Sequence, residues 1–201
     1  MKKYIFPKSR QKGIAFHSEM MYNNITYQKS TDDTGDVNMD IKLEPIKIEQ
    51  KSVFVQMMEL YNYDFSEFSG DDINEYGYFG YSRIDDYWNE EGRYPFFIRA
   101  DGKLAGLILI RSCSEYNDIP DPHNIAEFFV MKKYRGKGVG KTAAKMVFDM
   151  FRGGWEVSYW KNNIPAKHFW ENVISEYTSG NYKTFDPADK HEAGYIFDNH
   201  Q

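Results

Sequence analysis

Residues 123–152 read HNIAEFFVMKKYRGKGVGKTAAKMVFDMFR, and this stretch decides how the chain folds. The apolar run Phe128–Met131 predicts a short strand, and a basic turn with three alternating glycines follows it. Apolar residues then recur at three- and four-residue spacing, which predicts an amphipathic helix. A strand that enters a helix through a glycine turn presents free backbone N–H groups and the positive end of the helix dipole. The stretch therefore predicts a binding site for phosphate groups.

The composition of the chain is that of a folded domain of moderate size. Its 201 residues are 41% hydrophobic and 17% aromatic. The net charge of -5 disfavours general nucleic-acid binding, although a local basic patch is compatible with it. Cys113 is the single cysteine, which excludes an internal disulfide and a cysteine-based zinc site. We expect a small core residue at Cys113 and a reducing, cytoplasmic location.

Targeting and membrane segments are not expected. The longest apolar run, Leu104–Ile110, is far too short to span a bilayer. The N-terminal residues reach Pro7 before an apolar segment of signal-peptide length can form. Residues 1–38 mix basic and aromatic residues and then pass through a polar tract, so they predict a poorly ordered leader or appendage. The compact domain is expected at 39–201, and Met39 could be an internal start site.

The order of predicted elements is that of an α/β domain with a mixed sheet. The dipeptide Asp101-Gly102 is a strong signal for a two-residue hairpin turn. Asn163 is a good N-cap for a helix that has Pro165 in its first turn. The predicted strands lie at about 41–48, 96–99, 104–112, 128–131, 155–159, 182–185 and 194–197, and the predicted helices at 51–61, 82–89, 139–152 and from 163 onward.

Two familiar phosphate-binding motifs fail on spacing. A P-loop would place its first glycine at position 135, where Arg135 stands. The dinucleotide fingerprint is met formally by residues 138–143, but it requires an acidic residue at the end of the next strand. Glu156 falls in the middle of that strand, and Lys132-Lys133 form an insertion that is wrong for a tight dinucleotide turn.

A third pattern fits without an exception. The segment Arg135-Gly136-Lys137-Gly138-Val139-Gly140 resembles the pyrophosphate-binding motif of the GNAT superfamily of N-acetyltransferases, Arg/Gln-x-x-Gly-x-Gly/Ala. Val130 stands at the strand valine of that family and Tyr134 at its aromatic position. Downstream, a strand followed by Asn163-x-x-Ala-x-x-Phe-Trp resembles its second cofactor segment. The resemblance covers about residues 40–199 and implies a twisted, mixed sheet of six to seven strands flanked by four helices.

The resemblance also implies acetyl-CoA as the acyl donor. Backbone groups of three strand residues would pair with the pantetheine amides, and backbone N–H groups of the glycine turn would hold the pyrophosphate. Asn163 and its helix would line the opposite wall near the thioester. The implied binding residues are Phe129, Val130, Met131, Arg135, Gly136, Lys137, Gly138, Val139, Gly140, Lys141 and Asn163.

The implied reaction is direct attack of a primary amine on the thioester. Glu127, three residues before Val130, stands where several family members carry a catalytic glutamate, so it is the candidate general base. The family's second segment often carries tyrosine where this chain has Trp170, whose indole cannot usefully protonate a thiolate. Tyr177, another tyrosine, water or no acid at all remain open. The alternative function is a non-catalytic module that binds acyl-CoA for regulation.

The acceptor is expected to be cationic. Residues 61–91 carry nine carboxylates against the single cation Arg83, interleaved with aromatic residues. Such a surface favours an amine through charge and cation–π contact, although a solvated acidic segment packed by its aromatics would look the same. No metal site is expected, because His123 and His168 lack paired ligands. A homodimer is left open, and Lys132, Lys133 and Lys145 are either solvated or close to a CoA phosphate.

Overall fold

The structure is a computed structural model, and it describes residues 26–27 and 39–200. The predicted leader therefore lies almost entirely outside the described residues and stays a prediction. Short 3-10 turns at Ile48–Gln50 and Lys132–Tyr134 precede α1 and the glycine turn. The strands are β1 Thr26–Tyr27, β2 Ile41–Pro45, β3 Arg93–Ala100, β4 Lys103–Arg111, β5 Pro122–Val130, β6 Gly154–Trp160, β7 Lys183–Phe185 and β8 Glu192–Asp198. The helices are α1 Lys51–Ser69, α2 Asp86–Asn89, α3 Val139–Met150 and α4 Ile164–Thr178.

The described strands form one mixed sheet in the order β1-β2-β3-β4-β5-β6-β8-β7. Neighbouring strands are antiparallel except β5 and β6, which are parallel and joined by the crossover helix α3. The hairpin between β3 and β4 turns at Asp101 and Gly102, both of which have positive φ, as the predicted two-residue turn requires. The predicted fold class is confirmed, with the two-residue β1 as an additional strand.

The sheet forks between β5 and β6. Parallel pairing joins only the first three residues of each strand, and it ends at the pair Asn124 and Glu156. Beyond that pair, β5 continues beside β4 while β6 continues beside β8. The backbone edges of β5 and β6 that face each other are thus without a strand partner over their C-terminal halves. This opening is where a ligand can enter the sheet.

Helices cover both faces of the sheet. On one face, α1 and α2 bury Phe54, Met58 and Tyr87 against β3, β4 and β5. On the other face, α3 and α4 bury apolar side chains against the remaining core, in which Trp155 and Phe148 are fully buried. Both faces of β4 are therefore covered, which explains its continuous apolar sequence. No helix among the described residues is both long and apolar enough to cross a bilayer.

Several elements differ in length from the prediction, and one residue is less buried. Helix α1 continues eight residues past Tyr61, because Tyr61, Phe65 and Phe68 keep helical spacing along the inner face. Gly70, with φ of 72°, ends the helix. Strand β5 begins at Pro122, so the preceding polar loop is shorter than predicted. Cys113 is half-buried, so its prediction as a core residue was wrong.

Candidate active site

Three connected cavities lie along the fork of the sheet. The first, of about 440 Å³, extends from the glycine turn to α4 and is called the glycine cavity. The second, of about 610 Å³, lies between α1, β5 and β6 and is called the acidic cavity. The two share Tyr61, Phe65, Phe128, Asn163, Ala166 and Trp170 as a common wall. A ligand in one cavity would therefore meet a ligand in the other at this wall.

The glycine turn has the backbone that an anion cradle requires. Gly136 and Gly138 have φ of 69° and 77°, a left-handed conformation that side chains disfavour. Helix α3 begins at Val139 without a side-chain cap. Its first N–H groups have no intrahelical acceptor, so they are available to a phosphate. Gly140 lets the helix approach closely, because a Cβ there would lie 3.2 Å from the Phe169 ring.

Arg135 is tied to both walls of the glycine cavity. Its Nε donates to the Val130 carbonyl at 2.6 Å, and its Nη2 pairs with Asp64 of α1. Asp64 also forms an ion pair with Lys132, in which the Lys132 Nζ and the Asp64 Oδ1 are 3.2 Å apart. The guanidinium lies over the Phe129 ring at 5.9 Å. This cation is thus held at the cavity mouth by contacts that fix its position before any ligand arrives.

The pairing of β5 decides which backbone groups face the fork. The Met131 N–H donates to the Ala105 carbonyl at 2.8 Å, so it points toward β4. Because strand residues alternate in direction, Phe129 also points toward β4, whereas Phe128 and Val130 point toward the fork. Of the three strand residues predicted to pair with pantetheine, Val130 alone has its backbone N–H and C=O directed toward the fork. Phe128, which the sequence prediction omitted, faces the fork as well.

Asn163 and Trp170 shape the α4 side of the common wall. The Asn163 side chain caps α4 by accepting from the Ala166 N–H at 3.0 Å, as predicted. Trp170 is 4% exposed and packs edge-on against Phe128, with centroids 4.9 Å apart. Its indole therefore has a packing role, although one edge reaches both cavities.

Glu127 stands on β5 in the acidic cavity, close to the fork. Burial raises the pKa of its carboxyl, and hydrogen bonds to the phenols of Tyr61 and Tyr81 and the charge of Arg111 lower it without cancelling the rise. Burial likewise raises the pKa of both phenols, so they stay protonated donors near neutral pH. The charge of Glu192 adds to the rise. A half-buried carboxylate beside two protonated phenols is suited to accept a proton.

The acidic cavity is lined by carboxylates and aromatic rings. Asp71, Asp72, Glu127 and Glu192 line it, and no lysine or arginine of the described residues does. Such a lining attracts a cation, which agrees with the predicted preference for an amine. Other acidic residues of 61–91 serve the structure instead. Asp85 pairs with Lys51, Asp86 and Glu90 pair with Arg93, and Asp64 pairs with Arg135 and Lys132.

The third space, of about 330 Å³, opens beyond Glu127 and is called the arginine cavity. It shares Glu127, Tyr81 and Glu192 with the acidic cavity, so the two spaces are continuous. Its other charged lining residues are Arg83, Arg93, Arg111 and Glu115. The sequence analysis did not predict this cavity.

Most of the other predicted residues do not line the three cavities. Met131, Lys137 and Val139 are not among the described residues that line the glycine cavity, although Val139 opens α3 in the core. Lys141 does line it, and it pairs with Glu176. Tyr177 donates to Asp149 at 2.9 Å and lines none of the three cavities, so it is a poor candidate for the acid. Elsewhere, Lys145 also pairs with Glu176, Lys133 stacks on Tyr134, and His123 Nε2 donates to the Arg152 carbonyl at 3.2 Å.

Sequence reasoning missed Tyr61, Tyr81, Glu192 and Arg111. These residues come from α1, the loop before α2, β8 and β4, so only the tertiary fold brings them to Glu127. The signal for Tyr61 was its place in the apolar stripe of α1. Among the described residues, no group of three or more His, Cys, Asp or Glu side chains could hold a metal ion.

The glycine turn, β5 and the first ten residues of α4 fall within a match to a known family model. Residues 54–173 match the model of the "Acetyltransferase (GNAT) family". No curated protein sequence matches the chain.

Solved structures share the fold at low sequence identity. An acetyltransferase from Thermus thermophilus superposes with a TM-score of 0.57 at 12% identity, over 79% of this chain and 97% of that one. The GNAT domain of S. lividans PAT gives a TM-score of 0.57 at 13% identity, over 82% and 96%. The PaiA N-acetyltransferase from Thermoplasma acidophilum, solved in complex with coenzyme A, gives 0.53 at 14% identity, over 80% and 100%.

Proposed function

Because this chain belongs to the GNAT family of acetyltransferases, we propose that it moves the acetyl group of acetyl-CoA to a primary amine, with Glu127 as general base. The observation that carries the proposal is the position of Glu127. It lies in a cavity lined by carboxylates and aromatic rings that meets the glycine cavity at a common wall. A thioester in one cavity and an amine in the other would react at that wall.

The glycine cavity suits the acyl donor. The N–H groups of the α3 N-terminus and the Arg135 guanidinium would bind the pyrophosphate, and the turn at Gly136 and Gly138 lets the backbone approach it. The fork of the sheet would take the pantetheine arm, because the backbone groups of Phe128 and the Val130 N–H face it without a strand partner. A coenzyme A complex of PaiA N-acetyltransferase has the same fold and supports this choice of ligand.

The chemistry follows from the groups at the common wall. Glu127 takes a proton from the ammonium group, and the free amine attacks the thioester carbonyl carbon. The new C–N bond forms, and the Val130 N–H stabilises the oxyanion. The C–S bond then breaks, the nitrogen of the new amide releases its second proton to solvent, and the thiolate takes a proton. Tyr61 lies on both cavities beside Glu127, so it can pass that proton from the carboxyl to the sulfur.

The test is release of free CoA from acetyl-CoA with a panel of primary amines. We expect Glu127→Gln to slow acetyl transfer by about 10²- to 10⁴-fold while the affinity for CoA stays within about twofold, since a general base contributes about that much. Glu49→Gln, an exposed glutamate before α1, is the matched control and should change neither value. Tight binding of acetyl-CoA without release from any amine would support the regulatory module instead.

The remaining parts of the expected biology stay predictions. The cationic preference of the acceptor is supported by the carboxylates of the acidic cavity. A cytoplasmic location, a homodimer and the lack of a nucleic-acid partner also stay predictions.

A further inference from the structure

The arginine cavity is not explained by an acceptor that carries only an amine. A purely cationic acceptor would fill the acidic cavity and find Arg83, Arg93 and Arg111 beyond Glu127 repulsive. The two cavities share Glu127, so an acceptor whose amine contacts Glu127 can also extend into the arginine cavity. The chemistry that fits both spaces carries opposite charges at its two ends.

Arg111 lies on the same sheet face as Glu127. Glu127 pairs with Leu109 across β4 and β5, and Arg111 lies two residues beyond Leu109, so both side chains project toward the α1 face. A β-bulge at Ala126 separates the two pairs. Diagonal neighbours of this kind have Cα atoms about 7–8 Å apart. The charge of Arg111 also acts on the Glu127 carboxyl, which agrees with their proximity.

Only some of the hydrogen-bond donors of the Arg111 guanidinium have partners among the described residues. Its Nη2 pairs with Glu115 and donates to the Asn124 amide oxygen at 3.1 Å. Its Nε, which forms the other half of the same donor fork, is buried and has no hydrogen-bond partner among the described residues. A buried cationic donor without a partner is costly, and a planar carboxylate is the group that fits the Nε–Nη2 fork.

Glu115 is an exchangeable partner for that fork. Its side chain is 38% exposed, and it belongs to the loop between β4 and β5. That loop is held by buried Glu156, which accepts from the Glu115 and Tyr116 backbone N–H groups and from two side chains. The Glu115 side chain can therefore swing into solvent while its backbone stays in place, and a ligand carboxylate can then take the fork.

We propose that the acceptor is a free amino acid, with its amine at Glu127 and its carboxylate on Arg111 in the arginine cavity. This inference rests on the acetyl transfer proposed above, which it extends to a substrate class. A carboxylate is favoured over a phosphate, because Glu115, Glu127 and Glu192 also line the arginine cavity and would repel a second negative charge.

The test compares acceptors that differ only in the carboxylate. Lysine is paired with cadaverine and phenylalanine with phenethylamine, and the full chain is assayed with acetyl-CoA. For at least one pair we expect kcat/KM to be about tenfold or more higher for the amino acid, since a charge-assisted fork is worth that much. Arg111→Gln should bring that ratio close to one, and Arg111→Lys should give an intermediate ratio, because lysine keeps the charge and loses the fork.

The controls separate recognition of the carboxylate from a general effect of Arg111. Arg152→Gln, whose guanidinium donates to the Asn199 carbonyl and lines none of the three cavities, should leave the ratio unchanged. If Arg111 acts only by lowering the pKa of Glu127, its substitution changes both acceptors of a pair equally, and an unchanged ratio overturns the inference. Equal use of the two members of every pair by the native chain overturns it as well.

Failure of the parent proposal has a different outcome. No CoA release from any amine or amino acid, with acetyl-CoA bound, contradicts acetyl transfer and this inference together. Release from amines with no preference for the carboxylate contradicts this inference alone. Binding of acetyl-CoA by each variant verifies that it is folded, and Arg111→Lys keeps the test open if Arg111→Gln does not fold.

Discussion

At the residue scale, the ionisation of Glu127 controls the proposed reaction. The carboxyl accepts a proton only when it is ionised, so kcat/KM should rise with pH through its raised pKa. Tyr61 holds the carboxylate by a hydrogen bond that lowers this pKa. Tyr61→Phe should therefore move the acidic limb of the pH profile to higher pH, with about two- to tenfold lower activity on the limb, because one net hydrogen bond is lost.

The control for this shift is a second phenol with a carboxylate partner. Tyr177 donates to Asp149 away from the cavities, so Tyr177→Phe should leave the limb where it is. At high pH, where Glu127 is ionised in both proteins, the Tyr61→Phe deficit should shrink. Any deficit that persists at high pH measures the part of Tyr61 in proton transfer to sulfur, and a deficit that is constant across pH would mean that Tyr61 does not act on the pKa of Glu127.

Residues that are adjacent in sequence were predicted well, and residues brought together by packing were not. The turn from Arg135 to Lys141 is one continuous segment, so its spacing alone separates it from a P-loop. Tyr61, Tyr81 and Glu192 lie on three different elements, and no local pattern marks them as partners of Glu127. The predicted acidic patch shows the same limit, because composition could not tell Asp71, which lines the cavity, from Asp85, which pairs with Lys51.

At the element scale, the glycine turn is expected to carry most of the affinity for the acyl donor. Gly138→Ala places a side chain at φ of 77°, which costs about 1–2 kcal/mol and shifts the turn that positions the α3 N–H groups. We expect a lower Tm, by about 2–4 °C for each kcal/mol, and an affinity for CoA that is several-fold weaker by calorimetry.

Gly180→Ala is the matched control, because it introduces the same kind of backbone strain at a position away from the glycine turn. Gly180 has φ of 81°, and no atom lies within 4 Å of its added Cβ. It should lower the Tm by a similar amount while the affinity for CoA stays the same. If both variants weaken CoA binding equally, the loss at Gly138 reflects global stability and the turn is not the pyrophosphate site.

The boundaries of helices and strands were predicted only in part by the spacing of apolar residues. The apolar spacing of Tyr61, Phe65 and Phe68 continues α1 to Ser69, whereas the predicted helix ended at Tyr61. The extra two turns matter, since they bring Asp64 to Arg135 and Phe65 to the common wall of the two cavities. The fork between β5 and β6 depends on where pairing stops, and no local residue pattern marks that point.

At the scale of the whole molecule, a ligand that fills the fork is expected to raise the free energy of unfolding. The wall from α1 and β5 and the wall from β6 and α4 touch through a few contacts, among them the Phe65 and Trp160 rings at 5.1 Å and the hydrogen bond from Asn162 to the Phe68 carbonyl at 2.8 Å. A ligand that contacts both walls binds the folded state alone. Acetyl-CoA at a hundred times its Kd should therefore add about 2.7 kcal/mol to the free energy of unfolding.

This stabilisation separates the proposed ligand from other phosphate compounds. For a chain of this length, about 2.7 kcal/mol raises the Tm by about 5–11 °C, which differential scanning fluorimetry resolves. ATP fits a P-loop, and this chain has Arg135 where the P-loop needs its first glycine, so ATP should give no comparable rise. Glu127→Gln should keep the full rise with acetyl-CoA, because it removes the base and not the cradle. Gly138→Ala should reduce the rise beyond the loss in its own Tm, and a full rise in that variant would move the pyrophosphate away from the glycine turn.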